Sequence, residues 1–70
     1  MGNGIDRFSQ NLKKYRKAKG LSQEDLAEGM SGSQKQVSCW ERGENHPAFR
    51  RLPRLAENLG VSVSQLFEGV

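Results

Sequence analysis

Apolar residues recur along this chain at helical intervals and give no strand signal. Ile5, Phe8, Leu12 and Tyr15 are spaced by threes and fours, a one-sided stripe that predicts a first helix over 6–19. Lys13, Lys14, Arg16, Lys17 and Lys19 fall mostly off that stripe; their charge suits a helix C-terminus, and the lysines read as a solvated face. Gly20 suits the left-handed position that closes such a helix. Ser22 followed by Asp25 opens a second helix over 23–30, with Leu26, Ala27 and Met30 as its apolar face and Ser31-Gly32 as its stop. Ser33 with Gln36 caps a third helix that carries Val37 and Trp40 and ends at Gly43. Residues 44–50 read as a loop. Leu52, Leu55, Ala56 and Leu59 mark a fourth helix ending at Gly60; Pro53 is tolerated only in a first turn, so its start falls at 51–52. Ser62 with Gln65 caps a last short helix through Phe67. The expected architecture is all-α, with a flexible N-terminal arm over 1–5 and one five-helix domain over 6–68.

Composition narrows what such a domain does. A chain of 70 residues holds one small domain with a marginal core. No apolar run approaches the roughly 18 residues a membrane span needs, and no secretory signal follows Met1, so a membrane partner is not expected and the composition fits a cytoplasmic protein. The single cysteine excludes an intrachain disulfide and a cysteine-rich metal site. The single histidine, His46, excludes a multi-histidine metal site and a histidine-based triad variant elsewhere in the chain. No acid–base pair, nucleophile–base set or phosphate loop is recognisable, so the expectation is no enzyme and no cofactor. Lys and Arg number 11 against 8 Asp and Glu, for a formal charge of +3, a balance that permits nucleic acid as a partner without requiring it.

The second and third helices are short and joined by a glycine-containing break, the helix-turn-helix arrangement. Ala27 suits it, because the helices cross closely there and a larger side chain would push them apart. An αα-hairpin inside any helical domain has the same spacing, so DNA binding and a purely structural role both stand at this point. On the third helix Val37, Trp40 and Glu41 share one face, which must pack inward. That spacing makes Trp40 a core residue rather than a base-stacking one, and makes Glu41 a carboxylate that needs a partner. Lys35, Cys39 and Arg42 lie opposite, with Gln36 and Ser38 on the flanks.

Several blocks in order resemble the lambda-repressor/Cro-like (XRE-type) helix-turn-helix family: Leu12-Lys13-Lys14-Tyr15-Arg16, Gly20-Leu21-Ser22-Gln23-Glu24-Asp25-Leu26-Ala27, Val37-Ser38, Trp40-Glu41-Arg42-Gly43, Pro47, and Leu55-Ala56 through Leu59-Gly60-Val61-Ser62, with Leu66 and Phe67 in the closing helix. The resemblance covers about residues 8–68 without a gap. There are departures. Ser31 stands where the family usually has glycine, Gly32 where it has an apolar residue, Ala48 where a capping Ser or Thr is common, and Pro53 within the fourth helix.

The resemblance implies a compact DNA-binding domain of a transcriptional regulator, of prokaryotic or phage origin, whose third helix enters the major groove N-terminal end first. Gln34, Lys35 and Ser38, with Gln36 and Cys39, are then the base readers: Gln pairs with adenine and Lys with guanine O6 and N7. Gln23, Arg42, Asn45, His46, Arg50 and Arg51 are candidate phosphate contacts, with Arg50 and Arg51 also within reach of the minor groove. The family's Arg–Glu pair maps to Arg16 and Glu41, as a structural ion pair. Cys39 is read as a small tolerated residue, with a redox switch as the alternative. The implied function is a sequence-specific regulator, a repressor by first expectation, bound to double-stranded DNA as a homodimer on a pseudo-palindrome. The alternative is an antitoxin or other module whose main partner is a protein, favoured by an apolar patch of Phe49, Leu66, Phe67 or Val70.

Overall fold

A computed structural model describes residues 4–69. Among these, five α-helices follow one another: α1 (Gly4–Ala18), α2 (Gln23–Gly29), α3 (Gln34–Arg42), α4 (Leu52–Leu59) and α5 (Val63–Leu66). A 3-10 turn over Phe49–Arg51 leads into α4. The arm expected over 1–5 is corrected in part: Gly4 and Ile5 belong to α1, and Met1–Asn3 lie outside the described residues. The other helix ends fall within a residue or two of expectation.

Local chemistry sets those ends. Ser22 accepts from the backbone N–H of Asp25, whose carboxylate accepts in return from the backbone N–H of Ser22; Ser62 and Gln65 repeat the exchange at α5. Ser33 accepts from the backbone N–H of Gln36. Ala48, without a side-chain oxygen, offers no cap, and the entry to α4 is instead the 3-10 turn, closed by Arg51 N–H donating to Ala48 O at 2.8 Å. Pro53 falls in the first turn of α4, where its missing N–H costs nothing.

The core forms where the stripes meet. Phe8 and Leu12 of α1, Leu26 and Met30 of α2, Val37 of α3, Leu55 of α4 and Leu66 of α5 are fully buried. α3 lies between α1 and α2, while α5 packs against both α1 and α4. Trp40 is buried, as its spacing from Val37 requires. Two buried polar side chains tie α1 to what crosses it. Ser9 Oγ donates to Trp40 O at 2.8 Å, and Asn11 Nδ2 donates to the carbonyls of Leu66 and Glu68, each at 3.0 Å. Among the described residues no helix is long and apolar enough to cross a membrane.

Candidate nucleic-acid interface

The site is the outer face of α3 and what holds it. Its inner face is fixed by Val37 and Trp40 in the core and by Glu41, whose side chain is 4% exposed. Arg16 Nε donates to Glu41 Oε2 at 2.5 Å and Nη2 to Oε1 at 3.2 Å, a two-point pair that fixes the carboxylate plane. Arg16 Nη1 also donates to Leu21 O at 2.7 Å, joining α1 to the approach to α2.

From this pair a hydrogen-bond chain runs outward. Gln23 Nε2 donates to Glu41 Oε1 at 3.0 Å, and Gln34 Nε2 donates to Gln23 Oε1 at 3.1 Å. The carboxylate accepts only, so the Gln23 amide must turn its nitrogen inward and its oxygen outward. That oxygen in turn requires a nitrogen from Gln34. Core electrostatics thus set the amide orientation of the first residue of α3, leaving Gln34 Oε1 and one Nε2 hydrogen for a ligand.

The other expected residues are placed unequally. Gln34, Lys35 and Gln36 are exposed; Ser38 and Cys39 are half-buried. Gln36 folds back on the turn, its Oε1 occupying the space a Cβ at Gly32 would need, 2.4 Å away. Arg42 lies along its own helix: Nη1 donates to Ser38 Oγ at 2.9 Å and Nη2 contacts Cys39 Sγ at 3.6 Å, while Glu44 receives Nε at 2.8 Å. Hydrogen bonds from Arg42 and from the Cys39 thiol hold the Glu44 carboxyl below the usual carboxylate range, and Glu44 in turn raises Arg42. Asn45, His46 and Arg50 are exposed, with His46 Nδ1 3.1 Å from Pro47 O.

Arg51 differs from Arg50. It is half-buried, its guanidinium 5.8 Å from the centre of the Trp40 ring and its Nη2 donating to Met30 O at 2.8 Å. Of the apolar patch named for a protein partner, Leu66 is fully buried, Val70 lies outside the described residues, Phe67 stacks on Phe8 at 5.2 Å, and Phe49 remains 86% exposed. Sequence reasoning missed Glu44 as the partner of Arg42. It also missed Arg54 and Asn58, which contact the α2–α3 turn. With Arg51 they are spaced at i, i+3 and i+7, a polar stripe legible beside the apolar one of α4.

Comparison with known proteins fits this geometry. A family model described as helix-turn-helix matches residues 12–66. The uncharacterized HTH-type transcriptional regulator YqaE of Bacillus subtilis is 34% identical over 62 residues, 89% of this chain and 53% of that protein. The control protein C.MunI of a Mycoplasma species is 34% identical over 65 residues, 91% of this chain and 88% of that one. Among solved structures, the restriction-modification controller protein C.AhdI from Aeromonas hydrophila superposes with a TM-score of 0.83 at 35% identity, over 90% of this chain and 96% of that chain. The chain spans about half the length of curated relatives such as YqaE.

The expectation of no enzyme requires correction. Hydroxypropylphosphonic acid epoxidase from S. wedmorenis superposes with a TM-score of 0.87 at 26% identity, over 96% of this chain but 36% of that chain. The same helical unit therefore occurs inside an enzyme, and a lack of recognisable catalytic groups within the unit does not exclude one. The matched model, the relatives and the controller-protein fold agree on one assignment: the chain belongs to the XRE-type, lambda-repressor/Cro-like helix-turn-helix family.

Proposed function

We propose that this domain binds double-stranded DNA sequence-specifically in the cytoplasm and regulates transcription, as a repressor, with α3 in the major groove. The observation that carries the reading is the hydrogen-bond chain from the buried Arg16–Glu41 pair through Gln23 to Gln34. A solvated polar face needs no such scaffold, whereas base readout needs a side chain held before the ligand arrives. The free oxygen and hydrogen of Gln34 match adenine N6 and N7. Lys35, exposed beside it, suits guanine O6 and N7. Ser38 and Cys39 reach a base edge only when Arg42 swings away from them, and Gln36 only when it leaves the turn. Gln23 keeps one Nε2 hydrogen for a phosphate, and Arg42, Asn45, His46 and Arg50 supply the remaining backbone contacts.

The names of the relatives support a regulatory role, and in this reading the domain acts as a homodimer on a two-fold symmetric site, with half-sites roughly 34 Å apart. The test is selection from a random duplex library at two salt concentrations. A two-fold symmetric motif that survives the higher salt is expected, since non-specific attraction weakens steeply with added counterions. Gln34→Ala and Lys35→Ala should each relax one position of that motif, at about 1–3 kcal/mol of discrimination. Salt-labile binding without a motif would overturn the reading.

A further inference from the structure

The turn between α2 and α3 is built differently from the other helix ends. α1, α3 and α4 each close with a glycine in the left-handed region, Gly20, Gly43 and Gly60, at φ of 77°, 77° and 72°. In each, the residue after the glycine donates back to a carbonyl five residues earlier: Leu21 to Arg16, Glu44 to Cys39, Val61 to Ala56. α2 makes the same pattern, Ser31 N–H to Glu28 O at 3.1 Å and Gly32 N–H to Ala27 O at 2.9 Å. Here, however, the left-handed residue is Ser31, at φ 56°. A side chain in that region is strained. The next residue, which in this motif usually adds an apolar contact back to the helix, is Gly32 and has none to offer.

Something else must hold this turn, and α4 together with the 3-10 turn that leads into it supplies it. Arg54 Nε donates to Gly29 O at 3.0 Å, and Asn58 Nδ2 donates to the same carbonyl at 3.3 Å. Arg51 Nη2 takes Met30 O at 2.8 Å, and Arg54 Nη2 reaches Ser31 Oγ at 3.4 Å. Two guanidinium groups thus sit on the carbonyl end of α2, where the helix dipole favours positive charge. Arg51 also lies against the Trp40 ring of α3, so the contact spans both helices. The approach is close at Gly29, where an added Cβ would stand 2.1 Å from Asn58 Oδ1.

We propose that Arg51, Arg54 and Asn58 are positioning residues for base readout: by clamping the carbonyl end of α2 they hold Ser31 in its left-handed turn and so set the angle at which α3 meets DNA. This rests on the DNA-binding reading above, and it assigns Arg51 to the turn rather than to a phosphate. The clamp replaces the glycine and the apolar contact that the turn lacks.

The test uses Arg54→Lys with Asn58→Ala, which together leave the net charge unchanged, and Gly29→Ala, which displaces the Asn58 amide from the opposite side. Two readouts separate the inference from the reading beneath it. In the free protein, amide hydrogen exchange at Gly32 should quicken by about tenfold, the worth of one to two hydrogen bonds, while Leu12 in the core is unchanged. On DNA, the ratio of affinities for the duplex that the wild-type protein selects and for a shuffled duplex should fall by about tenfold with the salt slope unaltered. Adding Ser31→Gly, which relieves the strain, should restore most of both. If neither Gly32 exchange nor the affinity ratio moves, the proposal is overturned. It is overturned equally if both duplexes weaken by the same factor, because Arg54 and Asn58 then act through the backbone of the DNA rather than through readout. If the wild-type protein selects no motif, the DNA-binding reading fails, and with it the role in readout, whatever the exchange shows.

Discussion

Glu41 and Arg42 are consecutive residues, and each makes an arginine–carboxylate pair of similar geometry, Arg16 to Glu41 at 2.5 Å and Arg42 to Glu44 at 2.8 Å. One helical step separates their fates. The first pair turns inward, with side chains 10% and 4% exposed, and carries further hydrogen bonds to Leu21 and Gln23. The second turns outward, with both side chains 56% exposed. In water such a pair gains little, because solvent screens the attraction and two long side chains must be held still. In the interior each charge has surrendered its hydration, and only the partner keeps it tolerable. The chemical groups alone therefore say little; the face of α3 on which they stand makes one pair structural and leaves the other free to exchange its partner for a ligand.

The largest effect should come from breaking the inner pair. Glu41→Ala strands the Arg16 guanidinium and should cost about 3–5 kcal/mol, read as a lower urea midpoint. For a domain this small, whose whole stability is roughly 0.05–0.15 kcal/mol per residue, that is about a third of the total or more. Arg16→Met together with Glu41→Met should cost less than Glu41→Ala alone, because no uncompensated charge remains. A double variant as unstable as the sum of its single ones would mean that the pair is not the unit. The next effect sharpens this. Gln23→Ala removes the third partner of Glu41 and should cost roughly 1.5–3 kcal/mol, the worth of a hydrogen bond to a charged group. It should also loosen Gln34 and broaden the base preference at the position Gln34 reads.

How much of this could be read in the sequence follows from the same contrast. Periodicity exposes inward faces, because burial demands a repeat; Val37, Trp40 and Glu41 were legible for that reason, and so were the caps, whose donors and acceptors lie three residues apart. Arg16 could be matched to Glu41 only through the family resemblance, since no periodicity links residues 25 apart on different helices. The outer face has no such rule. That Arg42 lies over Ser38 and Cys39, or that Gln36 folds onto Gly32, depends on torsions the sequence does not encode locally. Gly4 and Ile5 read as part of an arm because glycine is a weak helix former, yet at a helix start its low propensity costs little. The clamp on Ser31 was hidden differently: its stripe on α4 was present, but its targets are backbone carbonyls, which leave no mark in a sequence.

Glu44→Gln tests the outer pair. Its urea midpoint should fall only slightly at neutral pH, since both members are exposed. The change should appear on DNA instead. Arg42, released from its intramolecular carboxylate, becomes available to a phosphate, so binding should tighten and the salt dependence should steepen by about 0.9 on a log–log scale, the signature of one more neutralised phosphate. An unchanged slope would mean that the pair with Glu44 does not decide whether Arg42 reaches DNA. In 1 M salt the stability difference between wild type and Glu41→Ala should persist, because buried pairs are screened far less than exposed ones.

The smallest effect is set by pH, and its sign is fixed. The Asp25 carboxyl is lowered by the backbone N–H and then the hydroxyl of Ser22, and Glu44 by Arg42 and then Cys39. A group whose folded value lies below its unfolded one leaves the unfolded chain holding more protons. Its contribution is therefore present above the ordinary carboxylate range and is lost as pH falls through the lowered value. Stability should decline below about pH 4, where free carboxylates begin to protonate. Asp25→Asn removes the charge at the N-terminus of α2 but keeps a carbonyl oxygen that can accept from the Ser22 N–H, as Gln65 does from Ser62, so its deficit at neutral pH should narrow as acid titrates the wild type toward the same neutral state. Thermal melts at intervals down the acid range would show this as converging curves. A deficit that stayed constant into acid would mean that Asp25 contributes through its shape in the cap rather than through its charge, and the contrast between inner and outer carboxylates would then rest on Glu41 and Glu44 alone.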